Sequence, residues 1–254
     1  MKFLSVKLSG LALLVLLIGG FCFSCANTRL DPKSDPGGTD RKALKIADEV
    51  MRAMGGQSAW DATHYLSWNF FGNRTLLWDK WTGDVRIEWL KKPRKVIVNV
   101  LTGKGKVLLH GVEQTHPDTL AKYLQMGKEV WINDSYWLVM PFKLRDPGVT
   151  LRYQGEHPTD EGQKADLLQM TFSKVGVTPE NKYQVWVDKK THLITQWAYF
   201  EKYMDEKPKF QQSWTDYQRY GQILLSSGRG KEKTSTLNPI QVLSTVPAGT
   251  FEMW

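Results

Sequence analysis

The chain has 254 residues, with 34 Lys and Arg against 26 Asp and Glu, a formal net charge of +8. Hydrophobic residues make up 41% and charged residues 24%, ordinary globular usage that excludes a wholly disordered chain. The two cysteines, Cys22 and Cys25, exclude a disulfide framework and a Cys-rich metal centre.

Lys2 and Lys7 precede an apolar run over 8–23, shorter than the roughly 18 residues that a membrane-spanning helix needs. A basic start, a short apolar run and a small-residue exit predict a secretory signal peptide over 1–24. The exit, Cys22-Phe23-Ser24-Cys25, resembles a bacterial lipoprotein box. The resemblance implies lipid on Cys25, which follows the small Ser24, although Cys22 stands where that motif usually has Leu. Ala26 after the cysteine resembles lipoproteins passed on to the outer membrane. Several acyl chains on one residue hold a protein stably on a bilayer, each buried CH₂ contributing about 0.8 kcal/mol. Residues 25–39, polar and rich in Pro and Gly, predict a flexible tether.

Thr39 or Asp40 can cap a helix that runs to about Met54 and closes at Gly55-Gly56. Ala43, Ala47, Val50, Met51 and Met54 form its apolar stripe. The period then switches to two. Strands are predicted over 66–70, 85–89, 96–101, 107–109, 149–153, 167–172, 183–188, 193–200, 210–217 and 223–225. Turn signals separate them at fairly even intervals, as in an antiparallel meander, sandwich or barrel. A short helix over 117–126 interrupts them, with Pro117 in its first turn. No linker marks a second domain, so 40–254 reads as one.

Trp is the compositional outlier, with 11 in the chain. Trp68, Trp78, Trp81, Trp89, Trp131, Trp137, Trp186, Trp197 and Trp214 lie in or beside these elements. Indoles either fill a curved sheet solidly or line a greasy cavity within it. Trp186 is out of phase with Tyr183, Val185 and Val187, so it faces outward or its strand is covered on both faces.

Three stretches carry a wider likeness. They are Met140-Pro141-Phe142-Lys143-Leu144-Arg145-Asp146-Pro147-Gly148 with the following Leu151, Tyr153, Gly155 and Glu156; Ala53-Met54-Gly55-Gly56 before Trp60; and Tyr183, Val185, Val187-Asp188, Thr191 and Leu193-Ile194. Together they resemble a family of uncharacterised Gram-negative lipoproteins and, more loosely, the LolA/LolB-like lipoprotein-carrier superfamily. The resemblance implies a mainly β (α+β) fold: a strongly curved antiparallel sheet or half-barrel with one N-terminal helix and a short helical plug. It also implies a cavity for lipid or an acylated molecule. The candidate lining residues are Trp68, Phe70, Trp78, Trp89, Tyr153, Phe172, Trp197 and Trp214.

Chemistry is sparse. There is no nucleophile elbow, zinc helix, P-loop or calcium loop, and no cofactor is expected. Gly103-Lys104-Gly105 reads as a hairpin tip. His64, His110, His116, His157 and His192 are scattered, and Asp160-Glu161 sits in a polar turn, so neither a metal site nor a catalytic pair is expected. Lys91, Lys92, Arg94 and Lys95 form a basic turn that could meet an anionic headgroup, and 229–233 is a second basic patch. Secretion removes nucleic acid as a partner. The expectation is an outer-membrane lipoprotein, periplasmic or surface-facing, that binds a hydrophobic or amphipathic ligand without catalysis. The alternatives are an envelope scaffold that binds another protein, and a hydrolase whose active site is dispersed along the chain.

Overall fold

The computed structural model describes residues 38–173, 178–230 and 235–254. Cys25, with the signal and the tether up to residue 37, lies outside them, as does 231–233 of the second basic patch. Helix α1 (Arg41–Ala53) starts where Asp40 takes an extended backbone and accepts the Ala43 N–H at 2.7 Å, satisfying a free donor of the first turn. It buries Ala43, Ile46, Ala47 and Val50, with Met54 just beyond its end; Ile46 thus joins the expected stripe and Met51 is half-buried at its edge. Gly55 follows with φ at +120°, and a side chain there would come within 2.6 Å of the Gln222 carbonyl oxygen, so glycine is required. A short α2 (Gln57–Ala62) comes next, where the sequence predicts no helix.

The strands divide between two antiparallel sheets. β1 (Tyr65–Phe70), β2 (Arg74–Asp79), β3 (Asp84–Trp89), β4 (Arg94–Asn99), β5 (Gly105–Leu109) and β6 (Val112–Glu113) form a meander. The late strand β13 (Ile240–Leu243) returns to pair with β1, Trp68 opposite Ile240, giving the order β13-β1-β2-β3-β4-β5-β6. β7 (Val149–Pro158), β8 (Lys164–Phe172), β9 (Lys182–Asp188), β10 (Ile194–Phe200), β11 (Phe210–Tyr220) and β12 (Ile223–Arg229) form the second meander. Each sheet keeps two edges and neither closes into a barrel. The strand β2 escapes sequence reading because Leu76, Leu77 and Trp78 run together without alternation.

The expectation of one curved sheet and a short helical plug is corrected by α3 (Pro117–Val139), which separates the meanders. It runs 23 residues and passes directly into a 3-10 turn, Met140–Lys143. Beyond Met126 it buries Gly127, Asp134, Ser135, Leu138 and Val139; these share one face, but three of the five are Gly, Asp and Ser, so no apolar stripe announces it. Gly127 sets how closely it approaches β4: a Cβ there would lie 2.8 Å from Val96 Cγ1.

One apolar core draws on α1, both sheets, α3 and the 3-10 turn. Within it, Asp134 of α3 is 0% exposed and receives a two-pronged bond from Arg74 of β2, Nε to Oδ2 and Nη2 to Oδ1, both 2.6 Å. The Arg74 guanidinium also lies 4.6 Å from the Phe70 ring centre. A second, smaller cluster of Ala165, Leu167, Trp186, Ala198 and Phe200 occupies the other side of the second sheet. Trp186 is 7% exposed there, so β9 is covered on both faces. The C-terminal residues cross the outer side of the first sheet. Arg86 Nη1 donates to the carbonyls of Thr250 (2.9 Å) and Met253 (2.6 Å), and Trp254 Nε1 donates to Glu113 (2.8 Å). Ile97, opposite Arg86 in register, is 3% exposed although it lies outside the main core.

Burial pushes the Asp134 carboxyl above its ordinary range, while the bonds from Arg74 oppose the shift. Replacing Arg74 by Met strands that carboxylate and should cost about 3–5 kcal/mol in urea denaturation, whereas Arg74→Met with Asp134→Leu should recover most of the loss. A buried acid with a raised folded pKa binds its proton more readily folded than unfolded. The single variant should therefore regain stability as pH falls from neutral toward 5, and a flat profile would count against this pairing.

Candidate functional site

One face of α3 turns toward the second sheet. Glu129, Ile132, Asn133, Tyr136 and Trp137 follow helical spacing along it. Facing them are Phe172 of β8, Tyr183 of β9, Trp197 and Tyr199 of β10 and Phe210 of β11, with Thr178 and Asn181 beside them. These twelve residues enclose a cavity of about 370 Å³. That exceeds the roughly 150 Å³ that holds a benzene ring and falls within the range of about 300–1,000 Å³ of small-molecule sites. Strand register builds the aromatic wall: Tyr199 stands opposite Tyr183 on one side and opposite Phe210 on the other.

Ring contacts lock this wall. Tyr183 stacks on Trp197 with centroids 5.2 Å apart, and Trp197 meets Trp137 (4.8 Å) and Trp214 (5.7 Å) edge to face. Polar groups are few. Tyr199 Oη donates to Asn181 Oδ1 at 3.4 Å, Asn181 donates to Thr178 Oγ1, and Tyr136 Oη reaches Met170 Sδ at 3.5 Å. Burial pushes the Tyr183 hydroxyl up to about 12 against the pull of Asn181, and burial also raises Tyr136 well above the usual phenol range. Both stay neutral at physiological pH.

Behind the wall lies Arg229, 1% exposed. Its guanidinium covers the Trp214 ring at 3.6 Å and donates to Ser226 Oγ (2.8 Å), to the Gly228 carbonyl (2.6 Å) and to the carbonyl of Trp137 in the last turn of α3. Among the described residues no carboxylate pairs with it. Burial brings its pKa down to about 9, which still leaves it charged, and the negative end of the helix dipole supplies the compensating field.

Of the aromatics named from the sequence, Phe172 and Trp197 line this cavity. Trp214 packs against Trp197 from behind. Trp68, Phe70 and Trp78 are buried in the main core on the first sheet, Phe70 touching Trp137 and Trp78 touching Trp131 edge-on. Trp89 lies half-buried beneath Arg94, at 5.3 Å. Tyr153 lies on β7 under Lys42 and donates to Asp166 at 3.0 Å. The basic turn is elsewhere too. Lys91 and Lys92 are exposed, Lys95 pairs with Glu88 at 3.1 Å and Arg94 covers Tyr123 at 4.8 Å; none of the four lines the cavity.

His64 pairs with Asp79 at 3.2 Å between the stacked rings of Tyr65 and Trp81, and among the described residues no three His, Cys, Asp or Glu side chains stand where they could hold a metal ion. Asp160 and Glu161 border a separate polar hollow of about 560 Å³, where Asp160 receives the Gln211 amide at 2.7 Å. Sequence reasoning missed Tyr136, Trp137, Tyr183, Tyr199 and Phe210 as site residues. For Tyr183, Tyr199 and Phe210 the signal was present as same-face aromatics on adjacent strands, but it needs the register between hairpins to be read.

No protein-family model matches the chain, and no curated protein matches it in sequence. In structure it is similar to a DUF1329 family protein from Desulfovibrio piger ATCC 29098, at 15% identity and a TM-score of 0.45, over 83% of this chain and 97% of that one. It is also similar to MucB in its complex with MucA(peri), at 15% identity and a TM-score of 0.25, over 82% of this chain and 66% of that one. Among the described residues no helix is long and apolar enough to cross a membrane.

The buried phenol predicts the alkaline limit of stability. Unfolded tyrosine ionises near 10 and folded Tyr183 near 12, so its contribution is complete below 10 and is lost as pH rises through 12. In alkaline denaturation followed by circular dichroism, Tyr183→Phe should retain folded structure at a pH where the parent chain has begun to unfold.

Proposed function

We propose that this protein is an envelope lipoprotein, acylated at Cys25 and held on the outer membrane, that takes the apolar part of a hydrophobic or amphipathic ligand into the cavity between α3 and the second sheet. It binds and does not catalyse. One observation carries this reading: seven of the twelve lining residues are aromatic, Ile132 is aliphatic, and Glu129 is the single charged one. Such a wall favours entry by apolar burial, at roughly 25 cal/mol per Å² removed from water. The two sheets share one core with α3 set among them, and we read this arrangement as an incomplete barrel plugged by a helix, in the manner of lipoprotein-carrier folds. The anchor rests on the sequence of the N-terminus.

A second reading has its own support. Trp68, Trp78, Trp214 and Met140 make most of the interior solid, as an envelope scaffold that binds another protein would require. Two measurements on the full chain separate the readings. Native mass spectrometry of protein purified from its own envelope should show a co-purifying acyl species. Titration with N-phenyl-1-naphthylamine should show energy transfer from Trp137 and Trp197, and Asn133→Trp, which fills the cavity from an exposed position, should weaken uptake at least about tenfold. An empty parent protein that takes up no dye would leave the scaffold.

A further inference from the structure

The cavity's electrostatics point to a narrower ligand class, in an inference that rests on the binding reading above. The chain as a whole is cationic, at +8, yet the cavity is not. Among the described residues no Lys or Arg lines it, and Glu129 supplies its one formal charge. The surroundings carry both signs, since Arg229 lies behind the wall on Trp214 and the Trp137 carbonyl, while acids stand near the tyrosines. Tyr199 feels Glu201 and Glu180 against Lys209, and Lys209 is itself held by Glu201 at 2.9 Å. Tyr136 feels Asp146, which in turn holds Lys143. The basic turn of Lys91, Lys92, Arg94 and Lys95 does not line this cavity.

Aromatic walls add to this bias. Each ring carries a negative face, and a cation set against Trp or Tyr gains about 0.5–2 kcal/mol, more as water is excluded. Seven rings, neutral hydroxyls on Tyr136, Tyr183 and Tyr199, and one carboxylate favour an organic cation. An anion would meet Glu129 and the ring faces with no paired donor cation.

We propose that the cavity selects ligands whose polar end is an ammonium, quaternary or protonated, joined to an apolar body. The head lies toward Glu129 and the apolar body packs among Trp137, Trp197 and Phe210. Fatty-acid carboxylates and phosphate monoester heads are disfavoured.

The test uses the full chain in lipid nanodiscs, with empty nanodiscs as the blank, and three probes of equal chain length: hexyltrimethylammonium, 1-hexanol and hexanoate. Tryptophan fluorescence and calorimetry report binding. The expected order is cation, then alcohol, then carboxylate, with about tenfold between the first and last. Glu129→Gln should shrink that gap, with far-ultraviolet circular dichroism showing that the variant is folded, and Glu129→Lys should reverse the order. Hexanoate binding as tightly as the cation, or a gap indifferent to residue 129, overturns the ammonium preference while the bound probes keep the cavity reading. If no probe binds at millimolar concentration, both readings fall together.

Discussion

Helix α3 is fixed from two sides by arginines, and the rest of the interior is arranged around that constraint. From the first sheet, Arg74 grips the carboxylate of Asp134; from the second, Arg229 holds the carbonyl of Trp137 one turn further on. Arg229 is 1% exposed and the Arg74 side chain 17%, so each is matched largely inside. Arg74 is matched by a full charge. Arg229 is matched by carbonyl oxygens, a helix end and the face of Trp214, and burial lowers its pKa. The two arginines also set the register of the helix against both meanders, a specificity that apolar contacts alone would leave looser.

The cavity follows from this fixing. Close approach at Gly127 draws α3 onto β4, and its contacts continue to β5. Near its end the helix reaches across to β12, where Arg229 waits. Between those two attachments its outward face stands opposite β8 to β11 without closing on them, and the gap is walled by rings from both sides. Rigid aromatic side chains in edge-to-face contact resist collapse into such a gap, whereas flexible aliphatic chains would fill it.

The interior is also rich in unmet donors. The indole N–H groups of Trp68, Trp78, Trp131, Trp186, Trp197 and Trp214 are buried without an acceptor among the described residues. Trp78 with Trp131 and Trp197 with Trp214 place electropositive edges against ring faces, which recovers part of the lost hydration energy. A core built this way gives up some stability in exchange for shape.

The sequence by itself determined what short-range physics controls. The Asp40 cap, the α1 stripe, the turn glycines and the alternation of β1, β3 and β7 to β12 all depend on neighbours within a few residues, and they are legible for that reason. It also marked the unusual load of indole and the phase error of Trp186. Tertiary structure alone decided the second half of α3, because its buried face holds Gly127, Asp134 and Ser135 in place of an apolar stripe, and the strand β2, whose apolar run lacks alternation. It decided that Phe172 and Trp197 face a space while Trp68, Phe70 and Trp78 do not, since one strand's alternation names a face but not what lies opposite. And it decided the pairing of Arg74 with Asp134 and of Arg229 with Trp137, contacts 60 and 92 residues apart that no local pattern can encode.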